Sequence, residues 1–249
     1  MTVVRSVAGS AVWDGPPHVA PRGTLIVVPG RGEHPGLYRR FGERLSADAY
    51  QVRVLSDPTV DQCVTLAQLT ALTSAEDAEP LPTVLVGSDS GALFAAGVVA
   101  DGVVAVDGLV LAGLPVVNAP AAPAPELEIE DRTACPTHQR VLTRDEHFRP
   151  GALARALPQA WFESADLSRI AVPTLALHGD ADSISPLSSA RAQYLAVLSI
   201  RLFSIVGGRH DVLNDQTHRT VAATIVLFLE RLRLGQNLPT IAQDERNLR

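Results

Sequence analysis

Residues 83–96, TVLVGSDSGALFAA, constrain the fold more than any other segment of this chain. An apolar run of strand length stops at Gly87-Ser88-Asp89-Ser90-Gly91 and continues directly as a helix of small apolar residues. A buried strand that turns straight into a helix is a building unit of α/β sheets, and its turn lifts one side chain to the top of the sheet. Here that side chain is the carboxylate of Asp89.

The rest of the chain repeats the same alternation. GTLIVVPG, YQVRVLSD, PTVLVGSD, VDGLVLAGLP, PTLALHGD and SIRLFSIVG have strand length, and GLYRRFGERLSA, VDQCVTLAQLTALTSA, GALFAAGVVA, SPLSSARAQYLAVL and TVAATIVLFLERLRL separate or follow them with helical patterns. Strands alternating with helices imply βαβ units, so the fold class is α/β: a mostly parallel, doubly wound sheet. The 249 residues suit one domain spanning 1–249. Residues 1–22 read as an antiparallel hairpin at the sheet edge. Residues 117–170 break the alternation with a Pro-Ala stretch and read as an inserted lid whose last part, GALARALPQAWF, has a helical pattern. The tail from Gln236 reads as polar and mobile.

Composition removes several classes of function. The net charge of −6, with no arginine cluster on one face, opposes binding to nucleic acid. The chain contains no lysine, which excludes Schiff-base chemistry through that side chain. Cys63 and Cys135 are too few for a disulfide framework and stand in no metal-binding spacing, so a reducing, cytoplasmic setting is expected. The most apolar stretch is interrupted by Asp101 and Asp107, and neither a membrane span nor an export signal is expected. No cofactor or metal is implied, and the oligomeric state leaves no mark in the sequence. The natural partner is a small molecule.

Two other strand ends carry reactive residues. LALHGDADSISP runs into Asp180 and Asp182, and SIVGGRHDVLND runs into His210. All three candidates, Asp89, the acid and His210, fall at the carboxyl ends of strands, where open α/β sheets place their sites. Their order is nucleophile, acid, histidine, and the pentapeptide around Asp89 has the layout of the G-x-S-x-G elbow with aspartate in place of serine. An ionised aspartate attacks an sp3 carbon more readily than an acyl carbon. It opens an epoxide or displaces a halide, leaving an alkyl ester that water then hydrolyses.

With these motifs the chain resembles the α/β-hydrolase family, and within it the monoacylglycerol lipase and lysophospholipase branch. PGRGEHPGLYRRFGERL is similar to that branch's HGxGEHxxRY segment, HGDADSISP to its GxxDxxxP acid turn, and GGRHDVLND to its GxxHxxxNE histidine turn. The resemblance implies a triad of Asp89, His210 and Asp182, with Asp180 as the fallback acid, and an oxyanion hole from the backbone N–H groups of Arg31 and Ser90. Pro29 stands where the family has histidine. Asp89 is more like the nucleophiles of epoxide hydrolases and haloalkane dehalogenases, although those relatives' lid tyrosines and post-nucleophile tryptophan are missing. Gly30 and Trp161 are expected to bind substrate, and Arg31 either binds an acidic substrate group or is a solvated loop arginine.

The expected reaction is epoxide opening, or halide displacement, on a small apolar substrate. Three alternatives stand beside it: Asp89 as a general base in a lyase, cyclase or lactone-forming step; a serine carboxylesterase using Ser88 or Ser90; and a binding protein without catalysis. Arginine-only, Ala-rich usage is associated with GC-rich bacterial genes, for which secondary metabolism is one setting.

Overall fold

The computed structural model describes residues 9–74, 81–117, 124 and 126–243. Its strands are β1 (Ala11–Trp13), β2 (Gly23–Val28), β3 (Tyr50–Val54), β4 (Thr83–Ser88), β5 (Gly108–Ala112), β6 (Thr174–Gly179) and β7 (Ile200–Ile205). They form one sheet in the order β1-β3-β2-β4-β5-β6-β7. Every pairing is parallel except that of β1 with β3. Helices α1 (Arg39–Ala47), α2 (Gln62–Thr73), α3 (Ser90–Ala100), α7 (Leu187–Tyr194) and α8 (His218–Leu232) connect or follow the strands.

Both faces of the sheet are covered, and the side-chain alternation of a strand assigns residues to each. Leu25, Val27, Val84, Val86, Val110, Leu175 and Leu177 enter the core that α1 and α8 cover. Ile26, Val28, Leu85, Leu109, Leu111 and Ala176 enter the opposite core with α2, α3 and α7. Helix α3 is buried along its length apart from the half-buried Val99, which is why its sequence shows no polar stripe.

Three expectations are corrected. Residues 9–22 form no hairpin of their own: the strand within them, β1, pairs directly with β3, Val12 opposite Arg53, and residues 1–8 lie outside the described part. GALARALPQAWF is not one helix. Pro158, which lacks a backbone N–H, divides it into a short 3-10 turn, Ala152–Ala154, and α6 (Gln159–Ser164). The tail is tied down as far as Leu238, which is buried, and Arg231 on α8 donates to the carbonyls of Leu238 and Pro239. The segment between β5 and β6 also carries α4 (Glu128–Arg132) and α5 (Pro136–Arg144).

The turn after β4 is tightly built. Asp89 adopts φ 48° and ψ −121°, a conformation that costs a non-glycine residue about 1–3 kcal/mol. Its backbone N–H is held by the carbonyl of Ala112 on β5 at 3.0 Å. The neighbouring chains approach so closely that a Cβ on Gly91 would lie 2.2 Å from the carbonyl oxygen of Val28, and one on Gly87 2.4 Å from the Cα of Ala92. Gly91→Ala is therefore expected to lower stability by about 1–3 kcal/mol through enforced displacement of β2 from α3. A urea midpoint unchanged from wild type would contradict this packing argument.

Candidate active site

Four strand ends converge above the sheet. The β4 turn supplies Asp89, the loop after β2 supplies Arg31, the turn after β6 supplies Asp182, and the turn after β7 supplies His210. His210 is buried, with Nδ1 2.8 Å from Oδ2 of Asp182 and Nε2 3.1 Å from Oδ1 of Asp89. The first contact is an aligned hydrogen bond; the second is a close approach without that alignment. Asp182 is fixed by the backbone N–H groups of Ile184 and Ser185, which donate to its Oδ1 at 2.9 and 2.8 Å. Asp180, the fallback acid, instead accepts from the backbone of Gly207.

Arg31 grips Asp89 along both carboxylate oxygens. Nε donates to Oδ2 at 2.9 Å and Nη2 to Oδ1 at 2.8 Å, while the backbone N–H of Arg31 donates to Oδ2 at 2.9 Å. The backbone donor expected of an oxyanion hole is thus already aimed at the elbow residue. Both side chains are shielded from solvent, so the pair acts at low effective dielectric. Burial by itself raises the proton affinity of Asp89, but Arg31 and His210 outweigh it and hold the carboxyl well below its usual range. The same balance governs His210: burial disfavours its charge, yet Asp182 and Asp89 together push its pKa up to about 10. Asp182 is likewise held low, His210 and His178 offsetting its burial. The two flanking carboxylates thus favour the imidazolium form of His210.

The loop after β2 is tied to the β5–β6 insert as well as to Asp89. Arg31 Nη1 donates to the carbonyls of Leu153 and Arg155, each at 3.2 Å, and its own carbonyl accepts from Arg132 Nη2 at 2.6 Å. Arg132 is fully buried, pairs with Glu128 and Glu33, and stacks over Phe148. Glu33 accepts from the Gly30 backbone and from the Tyr38 hydroxyl. Its burial, reinforced by Asp211 and only partly offset by Arg132, raises its carboxyl to about 8. Arg132 is the residue that motif reading missed, whereas His178, expected to pack at the strand end, is buried there. His178 contacts Asp182 Oδ2 at 3.2 Å and the Tyr194 hydroxyl at 2.9 Å, and nothing in the spacing of HGDAD distinguishes it from a packed strand-end histidine.

A cavity of 470 Å³ opens beside this cluster, lined among others by Arg31, Asp57, Gln62, Arg149, Arg155 and Trp161. Trp161 is one of the lining residues. Its indole N–H is engaged by Gln62 Oε1 at 3.0 Å, and its ring packs against Phe94. Gly30 is not among the lining residues. It backs Asp89 instead, where a Cβ would come within 3.1 Å of the aspartate's own Cβ. Ser90 opens α3 with its hydroxyl buried and unpartnered. Asp89 lies behind the Arg31 guanidinium and does not itself line the cavity. Among the described residues no group of three or more His, Cys, Asp or Glu side chains is placed to hold a metal ion, and no helix is long and apolar enough to cross a membrane.

No protein-family model matches the chain, and no curated protein matches it by sequence. Solved structures do. A soluble variant of monoglyceride lipase from Saccharomyces cerevisiae superposes with a TM-score of 0.73 at 14% identity, covering 90% of this chain and 91% of that one. The monoacylglycerol lipase of Paleococcus ferrophilus gives 0.70 at 17% identity, covering 90% and 98%. MenH from S. aureus gives 0.61 at 16% identity, covering 91% and 100%. At such identities the likeness establishes the fold, which is that of the α/β-hydrolases.

The charge arrangement sets a pH window. Because the folded-state pKa of His210 lies above the 6.5 of a free imidazole, the stability its proton contributes is complete below about pH 6.5 and is lost as pH rises through about 10. The Asp89→Asn variant, with one of the two flanking charges gone, should titrate His210 at lower pH. Imidazole nitrogen resonances followed by NMR would show this, and an unchanged His210 titration would disprove the coupling.

Proposed function

We propose that this α/β-hydrolase-fold chain is a hydrolase that opens an epoxide through an alkyl ester on Asp89, with His210 and Asp182 completing the triad. The observation that carries this reading is the orientation of the Asp89 carboxylate. Oδ2 sits on the backbone N–H of Arg31, as the carbonyl oxygen of an ester intermediate would, while Oδ1 faces His210. One oxygen is thus stabilised where charge develops during ester hydrolysis, and the other is the attacking atom.

The protonation state favours epoxide over halide. Oδ1 attacks one epoxide carbon, the carbon–oxygen bond breaks, and the alkoxide takes the proton from His210 Nε2. His210 is then neutral and able to draw a proton from water as that water attacks the ester carbonyl. Collapse of the tetrahedral intermediate releases the diol and restores the Asp89 carboxylate beside an imidazolium, so one epoxide and one water give one diol. A halide leaving group takes no proton, so His210 would have to lose its proton by another route before it could act as base. The chain's three tyrosines and the Trp161 indole are engaged elsewhere and offer no alternative proton donor or halide site, which leaves His210 as the acid. Tyr38 bonds to Glu33, Tyr50 to Glu230 and Tyr194 to His178, and the Trp161 N–H is taken by Gln62.

The rival readings fit less well. A carboxylate held well below its usual pKa range is a weak general base, which disfavours the lyase or cyclase reading. Ser88 and Ser90 flank the central position of the elbow; the Ser90 hydroxyl has no hydrogen-bond partner and Ser88 bonds to Tyr38, while His210 faces Asp89. In this scheme the β5–β6 insert is the lid.

Turnover of a panel of epoxides in 18O-water is expected to place 18O in the carboxylate of Asp89, read by peptide mass spectrometry, with His210→Gln slowing turnover about a hundredfold or more. Diol formation over many cycles with Asp89 unlabelled would overturn the covalent step.

A further inference from the structure

The cavity beside the site is cationic in a chain whose net charge is −6. Three arginines line it. Arg149 and Arg155 are exposed at its mouth, and neither has an ion-pair partner among the described residues. Asp57, the one carboxylate among the lining residues, is already committed: it accepts from the Gly32 backbone at 2.8 Å and from the backbone and hydroxyl of Thr59 at 2.8 and 2.7 Å. Leu157, Pro158 and Trp161 supply an apolar wall. Such a chamber attracts an amphipathic molecule with an anionic head.

Arg31 closes the inner end of this chamber. Its Nε and Nη2 hold Asp89, and its Nη1 holds the carbonyls of Leu153 and Arg155, so the guanidinium is a wall between the cavity and the carboxylate. Oδ1 cannot attack while Nη2 occupies it. An oxyanion arriving from the cavity presents Arg31 with the same two-oxygen fork that Asp89 presents now, and exchanging one carboxylate for another preserves the bidentate pairing of the arginine.

We infer that the substrate of this site carries an oxyanion group, a carboxylate or a phosphate ester, which is captured by Arg149 and Arg155 and takes Arg31 from Asp89, freeing the nucleophile only when the correct ligand is bound. This rests on the proposed role of Asp89 for its consequence, but the binding step does not. Arg31 is then a specificity-determining residue. Substrates without the anion leave Asp89 locked and pass unopened.

Isothermal titration of the intact protein with succinate and, separately, with inorganic phosphate tests the binding. Saturable binding is expected, weakening with added salt and weakened about tenfold or more in Arg149→Gln/Arg155→Gln. Asp89→Asn should bind the same probe more tightly, because the internal competitor for Arg31 has lost its charge. Succinate alone binding identifies a carboxylate site, and phosphate alone a phosphate site. No binding of either probe, or equal binding by wild type and the double variant, overturns the inference. A paired reaction separates this from the function itself. An acid-bearing epoxide should be opened and its methyl ester should not. Equal 18O labelling of Asp89 by both would refute the gating while leaving the nucleophile intact, and anion binding without any labelling would do the reverse.

Discussion

The ion pair between Arg31 and Asp89 is the interaction on which the rest of the site depends. It joins the loop after β2 to the turn after β4, and through Arg31 Nη1 and the Arg31 carbonyl it fastens the β5–β6 insert over both. A buried pair of this kind repays its desolvation only with good geometry, and breaking it by removing one partner typically costs about 3–5 kcal/mol. Here the geometry is bidentate, and the two Nη1 donors of the guanidinium find backbone carbonyls. The strained backbone of Asp89 is held from several directions at once, by Ala112, Arg31 and His210.

The same pair makes the resting site chemically quiet. It keeps Asp89 ionised and hence a potential nucleophile, but it also covers the oxygen that would attack. His210, whose proton Asp89 and Asp182 favour, acts in the proposed reaction as an acid before it acts as a base. The proposed epoxide opening would use those two states in that order. A serine at position 89 would leave the Arg31 guanidinium without its carboxylate, while Asp182 would still hold His210 and the carbonyls of Leu153 and Arg155 would still hold Arg31.

Much of this was legible in the sequence because the information is local. The alternation of strands and helices follows from runs such as GTLIVV and TLALHG, whose residues are buried on both faces of the sheet and so lack polar interruptions. Asp89, Asp182 and His210 were found because each sits in a glycine-bearing turn at a strand end. What escaped was set by contacts distant in sequence. Arg132 lies 101 residues from the Arg31 carbonyl it supports, and Arg22 on the opposite side of the fold pairs with Glu230. No spacing rule links such partners. The insert was recognised as an interruption, but Pro158 split a pattern that periodicity alone reads as one helix, and Arg31 could not be assigned to carboxylate or solvent before its neighbours were known.

Asp89 is proposed as the native occupant of an assembled nucleophile position, and fluorophosphonate labelling tests this without knowledge of the substrate. Wild type should remain unlabelled, while Asp89→Ser, alone or with Arg31→Gln to remove the unpaired buried charge, should label at residue 89 as located by mass spectrometry. That result would mean that His210, Asp182 and the oxyanion donors are already in working order around the aspartate. Labelling of wild type at Ser88 or Ser90, or folded serine variants that never react, would contradict it.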